Sequence, residues 1–223
     1  MVNIWDYIIP FSDSIISKFS SYDKLILPEE YHIETSNFKW ENYIWISESF
    51  RRAHIEIVDA RQDKKIWVMH MCIFPHVDDP SPIFGFDVVC GKNKITGAFH
   101  DYSPVGQSDM YLWFVNNMKN YNWQKPRELP DWAKQIFSKQ MLAVSNIDTI
   151  EELNKLTNVS IDNLDFYLYN VGNSRDNNNY TSRHNNYCKF QKMNPHTPAM
   201  MKTLGVDETV FKKFMHEVLF PEL

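Results

Sequence analysis

Two stretches of strict alternation, Phe50 to Asp59 and Ile66 to Phe74, constrain this chain more than any other feature. In the first, Ile55 and Ile57 alternate with His54, Glu56 and Val58. In the second, Trp67, Met69 and Met71 alternate with Val68, His70 and Cys72. A period of two sends successive side chains to opposite faces, so both stretches read as strands. The polar link Ala60 to Lys64, taken as a symmetric hairpin loop centred on Gln62, sets His54 directly across from His70. The next link, Pro75 to Ser81, carries the turn signal Asp78-Asp79-Pro80-Ser81 and sets Asp87 across from His70. Opposed Cβ atoms lie about 4.5–5.5 Å apart. His54, His70 and Asp87, with Glu56 beside them, therefore form one polar row within reach of a single substrate. A slip of one residue would scatter it to both faces.

Around this meander the pattern is that of an α/β protein. Asp6 to Ser20 reads as a short N-terminal helix interrupted by Pro10, and it covers one sheet face. Tyr31 to Trp45 is strand-like, and a further strand, Ile95 to Phe99, is entered through the turn Gly91-Lys92-Asn93-Lys94. Ser108 to Asn120 and Trp132 to Phe137 look helical, the second with Asp131 as its N-cap. Met141 to Val144 is a strand candidate and Ile147 to Leu156 a helix, while Leu164 to Tyr169 fits either. The Asn-rich stretch Asn173 to Asn186 reads as a loop or flap, and Val206 to Leu219 as an amphipathic helix. Helices thus flank a mostly antiparallel sheet on both sides.

Size and charge narrow the function. A chain of 223 residues suits one sizeable domain. A net charge of −5 without any basic run argues against nucleic-acid binding, which needs an excess of Lys and Arg. Three separated cysteines, Cys72, Cys90 and Cys188, offer neither a disulfide framework nor an iron–sulfur ligand set, and point to a reducing compartment. The longest apolar stretch is too short to span a bilayer. The expectation is a soluble cytoplasmic protein. Aromatic residues make up 15% of the chain, which suits either a pocket for a flat conjugated ligand or a ring-rich core.

The row itself admits three chemistries. Buried imidazoles can be plain hydrogen-bonded core residues. Two His and a carboxylate can also ligate zinc or iron. An Asp–His pair can store and deliver a proton, since a neighbouring carboxylate raises the proton affinity of an imidazole. Proton transfer and metal binding remain equally open on the residues alone.

The segments Phe50-Arg51-Arg52-Ala53-His54-Ile55-Glu56, Met69-His70-Met71-Cys72-Ile73-Phe74-Pro75, Pro82-Ile83-Phe84-Gly85-Phe86-Asp87-Val88-Val89 and Asp101-Tyr102-Ser103-Pro104, followed by Arg127-Glu128-Leu129-Pro130-Asp131-Trp132, resemble the ferredoxin-dependent bilin reductases in order and spacing. The likeness is to the phycocyanobilin-forming branch and to its marine-phage relatives that form phycoerythrobilin. It weakens across Val144 to Asn186. The resemblance implies a single bilin reductase domain over residues 1–223, built as a three-layer α/β/α sandwich with a central, mostly antiparallel sheet. It implies a monomeric oxidoreductase of CH–CH groups that holds biliverdin IXα between the sheet and the C-terminal helices. Such a protein has no metal and no bound cofactor of its own, takes electrons from reduced ferredoxin, and passes through bilin radicals. Four electrons and four protons would give a phycobilin, phycoerythrobilin being favoured over phycocyanobilin. By the same resemblance Asp87 is the central acid and His70 its partner, with His54 and Glu56 near the D-ring and its vinyl group. Arg127 and Thr96 would meet the propionates. Asn194 and His196 would also contact the substrate, in the segment where relatives that reduce the A-ring side carry an Asp, so the A-ring proton donor is not visible. Heme oxygenase or a bilin lyase would be pathway neighbours in a cyanobacterium or phage-infected cell, with no nucleic acid and no membrane involved.

Overall fold

A computed structural model describes residues 2–223. Its centre is an antiparallel sheet of eight strands: β1 (Asp23–Leu25), β2 (Ile33–Glu34), β3 (Lys39–Ile46), β4 (Arg52–Ala60), β5 (Ile66–Phe74), β6 (Ile83–Cys90), β7 (Ile95–Ser103) and β8 (Leu142–Val144). They lie in the order β1-β3-β4-β5-β6-β7-β8, with β2 paired to the other part of β3. The four strands from β4 to β7 form the meander expected from alternation, each hydrogen-bonded to the next in sequence.

Helices cover both faces. On one face α1 (Trp5–Ser17), α2 (Asp109–Met118) and α3 (Ile150–Asn170) pack over Ile55, Met69, Met71, Phe84, Phe86 and their neighbours. On the other face α4 (Thr181–Gln191), α5 (His196–Thr203), α6 (Glu208–Phe214) and a π turn, Met215–Leu219, lie over Val58, Val68, Cys72 and Phe74. Burial of these alternating apolar side chains is the main driving force, at roughly 1.5–3 kcal/mol for each large one taken fully out of water. The result is the three-layer sandwich, with the polar row inside the second apolar layer.

Several local expectations are corrected. The β4–β5 loop spans Arg61 to Lys65, because Ala60 pairs with Ile66 and Lys65 closes the turn at φ 56. The register therefore moves by two residues from the symmetric loop centred on Gln62: Glu56 faces His70, and His54 faces Cys72. A shift of two keeps every side chain on its face, so the row survives. Helix α1 runs through Pro10, whose ring is on the solvent side, where water can take the carbonyl left without a donor. The strand-like stretch 31–45 resolves into a 3₁₀ turn at Glu29–Tyr31 followed by β2 and β3.

Trp132 to Phe137 makes only a 3₁₀ turn over Ala133–Gln135, and Asp131 pairs with Lys134 at 3.0 Å rather than capping it. Ile150 to Asn170 is one helix capped by Thr149. It unites two segments whose helical pattern is masked by the buried polar Ser160 and Asn163. The end of the Asn-rich stretch, from Thr181 to Asn186, is the start of α4, whose inner stripe of His184, Tyr187, Cys188 and Gln191 does not look apolar. Val206 to Leu219 divides into α6 and the π turn, and α5 before it went unread.

Candidate active site

The row is built by register. His70 pairs with Glu56 on β4 and with Asp87 on β6, so three polar groups stand side by side across three strands. His70 Nδ1 lies 2.6 Å from Asp87 Oδ1, and the His54 and His70 ring centroids are 6.1 Å apart. His54 is fully buried, and Glu56 and His70 are nearly so, whereas 37% of the Asp87 side chain is exposed. Asp87 is therefore the member of the row that faces the opening.

Strand β3 holds the other end. Trp40 Nε1 donates to Glu56 Oε1 at 2.7 Å, and His54 Nε2 lies 3.0 Å from Asn42 Oδ1, whose own amide Nδ2 donates to the Tyr31 carbonyl at 2.8 Å. Trp40 and Asn42 went unrecognised in the sequence. Their alternation is visible, but no turn signal fixes the register of β3 against β4. Arg52, also on β4, donates to the carbonyls of Glu217 and Val218 and so ties the π turn down over the row. Burial, and secondarily Arg51 beside it, lowers its pKa to about 10.

The environment separates the protonation states. Burial drives His54 well below the usual imidazole range, helped by the positive charges of Arg52 and His70. Burial alone would also lower His70, but the Asp87 carboxylate, its hydrogen bond and Glu56 together outweigh burial and hold the ring above the ordinary value. Burial raises Glu56, and the opposing pull of His70 and the Trp40 N–H does not cancel that. An imidazole with lowered proton affinity, one with raised affinity and a carboxyl with raised affinity stand within one cluster. Such divergence is a mark of proton-transfer sites. Among the described residues no group of three or more His, Cys, Asp or Glu has the geometry to hold a metal ion.

The remaining expected contacts divide. Arg127 lies over the same sheet face, its guanidinium 5.3 Å from the Phe99 ring centroid, and Phe99 is the β7 partner of Asp87. A Cβ at Gly97 would come within 3.0 Å of Arg127 Nη1, so the bare glycine makes room for the guanidinium. The segment after Arg127 is pinned by the buried Asp101, which accepts from Ser138 N at 3.0 Å and Ser103 Oγ at 2.8 Å, as well as from Ser138 Oγ. Burial raises Asp101 to about 6 against these hydrogen bonds.

Thr96 is exposed at the irregularity between β6 and β7 and donates to the Val89 carbonyl at 3.0 Å. It stands three residues, about 10 Å at strand rise, from the partner of Asp87. Asn194 Oδ1 accepts from His196 N at 3.0 Å and starts α5, and the His196 side chain is exposed. Neither Asn194 nor His196 hydrogen-bonds to the row.

Aromatic rings wall the covered side. Phe220 stands 5.6 Å from His70 and Phe214 5.9 Å from His54, centroid to centroid, and Tyr187 stands 6.5 Å from Phe220. A cavity of about 290 Å³ opens on this face between Ile66 on β5 and Met200 and Leu204 at α5. The larger cavity, about 700 Å³, lies beside the β3–β4 hairpin among Ser47, Arg51, His76 and Arg175, and neither cavity is lined by a member of the row. Pocket size and chemistry point to different places. The row is the better candidate because there an imidazole raised by a carboxylate at hydrogen-bond distance stands beside a buried carboxyl that is itself raised.

The family model described as ferredoxin-dependent bilin reductase matches residues 14–221. Phycocyanobilin:ferredoxin oxidoreductase of Trichodesmium erythraeum is 30% identical over 116 residues, which is 50% of this chain and 46% of that protein. The protein of the same name from Synechococcus elongatus is 32% identical over the same shares. The chain thus spans about half the length of the curated relatives it matches. The solved structure of PcyX superposes with a TM-score of 0.69 at 27% identity, over 97% of this chain and 99% of that one. Phytochromobilin synthase from tomato, solved in complex with biliverdin, gives a TM-score of 0.73 at 13% identity over 97% and 82%, a likeness of fold alone.

Proposed function

Because this chain belongs to the ferredoxin-dependent bilin reductases, we propose that it reduces biliverdin IXα with electrons from reduced ferredoxin, and that the polar row of β4, β5 and β6 supplies the protons. The observation that carries this reading is the Asp87–His70 pair at 2.6 Å, open on the Asp87 side and backed by Glu56. A one-electron donor gives the pigment charge it cannot keep in an apolar site, so each electron calls for a proton delivered nearby. Asp87 touches the open side and hands over a proton; His70, which favours its charged form, restores it. Glu56, whose proton affinity burial raises, serves a second position on the tetrapyrrole. His54 is the neutral acceptor behind them. Arg127 holds a propionate through charge-assisted hydrogen bonds from its guanidinium.

Two such two-electron, two-proton reductions convert biliverdin into a phycobilin by way of radical intermediates. Retention of Glu56, a carboxyl able to protonate a vinyl group, supports reduction at the D-ring side. Phycoerythrobilin is the favoured product over phycocyanobilin, through the likeness to the phage branch. Ferredoxin and biliverdin are the partners, and heme oxygenase and a bilin lyase fit as neighbours in the pathway.

The test is an anaerobic assay with biliverdin, reduced ferredoxin and an electron-regenerating system, followed by absorption spectra and chromatography. Conversion to a violet-pink or blue phycobilin supports the proposal and identifies the product. Biliverdin that binds but persists unchanged under reduction overturns it in favour of a pigment carrier.

A further inference from the structure

We propose that Asn42 is a positioning residue that fixes the tautomer of His54, holding its ring proton on Nε2 and leaving Nδ1 as an open lone pair inside the row. Its role in turnover rests on the bilin reductase reading above; its role in the tautomer does not.

The assignment follows from which groups can donate. The Tyr31 carbonyl is only an acceptor, so the Asn42 atom 2.8 Å from it must be the amide nitrogen. The other end of the same amide is then the oxygen, and it faces His54 Nε2 at 3.0 Å. An amide oxygen cannot donate, so His54 Nε2 carries the proton. In a neutral ring the second nitrogen is then an acceptor, and Nδ1 is buried without any hydrogen-bond partner. Asn42 is only 1% exposed. It stands opposite Glu56 in the β3–β4 register, one strand beyond the row. Tyr31, which orients the amide, is itself held by Trp40 and Phe214 at centroid distances of 6.4 and 5.3 Å.

The identity of the residue matters as much as its place. The groups around His54 are Arg52 and Glu56 on its own strand, His70 on the next with Asp87 beyond it, and the uncharged Cys72 and Phe214. An amide oxygen adds no charge to this balance, whereas a carboxylate at the same position would pair with an imidazolium and turn His54 into a cation. Asn42 thus keeps His54 a neutral acceptor and leaves the mobile protons with His70, Asp87 and Glu56. Loss of tautomer control in a hydrogen-bonded histidine system costs far more than the bond itself.

The experiment is long-range ¹H–¹⁵N correlation NMR on histidine-labelled full chain without pigment, the His54 signals being assigned by their loss in His54→Gln. Wild type is expected to show neutral His54 as the Nε2–H tautomer from about pH 6 to 8, across the range where free histidine titrates. Asn42→Asp is expected to raise the His54 titration midpoint by more than about one pH unit. Asn42→Leu is expected to give mixed tautomers and to slow biliverdin reduction by roughly tenfold or more with pigment affinity kept. An Nδ1–H or cationic His54 in the wild type, or an unchanged tautomer in Asn42→Leu, overturns the assignment. The wild-type spectrum decides even where a variant does not fold. A wild type that has the expected tautomer but leaves biliverdin unreduced would instead sink the functional reading.

Discussion

The two faces of the central sheet both bury histidine, and they treat it in opposite ways. On the face covered by α1, α2 and α3, His100 Nδ1 donates to the Gly85 carbonyl at 2.8 Å while Nε2 accepts from Asn163 Nδ2 at 2.9 Å. Phe84, Phe114 and Tyr102 surround its ring, at centroid distances of 4.9, 5.4 and 6.0 Å. Burial lowers this imidazole to about 4, against the pull of the Gly85 carbonyl. Both nitrogens are satisfied and no carboxylate is hydrogen-bonded to the ring, so it is a structural cross-link. On the face covered by α4, α5 and α6, His54 and His70 each use one nitrogen and keep the other buried and open. An open buried nitrogen is costly to folding. Carboxylates beside it turn that cost into a capacity to hold and release protons.

The largest expected effect comes from removing that capacity where it meets the opening. Asp87→Asn preserves shape but cannot release a proton, and turnover should fall by about 10²–10⁴-fold while biliverdin still binds. Single-turnover absorption under reductant measures both, and wild-type rates in this variant would erase the distinction between the faces. Stability against pH comes next, and His100 and His70 should differ in sign. His100 has a folded pKa lowered to about 4, so its contribution is complete above the unfolded value near 6.5. Up to about 3 kcal/mol is lost as pH falls between the two. His70 has a raised folded pKa, so its contribution is complete below about 6.5 and is lost as pH rises through the folded value. Urea unfolding across pH tests both. His100→Phe should flatten the acid-side loss, while His70→Gln should lower stability chiefly at the acid end.

The face that carries the row was easier to read in the sequence than the helices that cover it. Asp87 and His70 were paired correctly because a turn signal centres their hairpin, and Glu56 and His54 follow from alternation within one strand. The five-residue β4–β5 loop carries no Gly or Pro to mark its centre, which cost two residues of register but no change of face. Trp40 and Asn42 needed a long-range pairing that nothing local announces. The C-terminal layer was obscured because α4 turns His184 and Gln191 inward, and α3 does the same with Ser160 and Asn163. Polar residues on the inner stripe break the apolar period by which helices are recognised, whether bonded as Asn163 and Gln191 are or unpartnered as Ser160 and His184 are.

Smaller effects are expected at the margin of the row. Arg127→Leu removes a charged hydrogen-bond donor at an exposed position, where solvent screens part of its value. A rise in KM of roughly three- to tenfold is expected, with kcat nearly unchanged. Gly97→Ala should act in the same direction but more weakly, since the new methyl would press on Arg127 Nη1 and the Phe99 ring from 3.0 and 3.2 Å. Steady-state kinetics with biliverdin separates the two constants. A change in kcat alone would place Arg127 in the proton path rather than at a propionate.

The smallest effect on affinity, within about twofold, is expected for Glu56→Gln, and it sharpens the difference between the faces most. Trp40 Nε1 donates to Glu56 Oε1, which leaves Oε2 without that contact. A glutamine can accept the same Trp40 bond through its amide oxygen and donate with its NH₂ group where the acid donated, so the pocket keeps its shape and its hydrogen bonds. What it cannot do is give the proton away. If Glu56 only supports structure, as His100 does, this substitution should leave both pigment binding and products as they were. If Glu56 supplies a proton to one part of the tetrapyrrole, binding persists, the first reduction still draws on Asp87 and His70, and chromatography shows a partly reduced pigment accumulating in place of the final one.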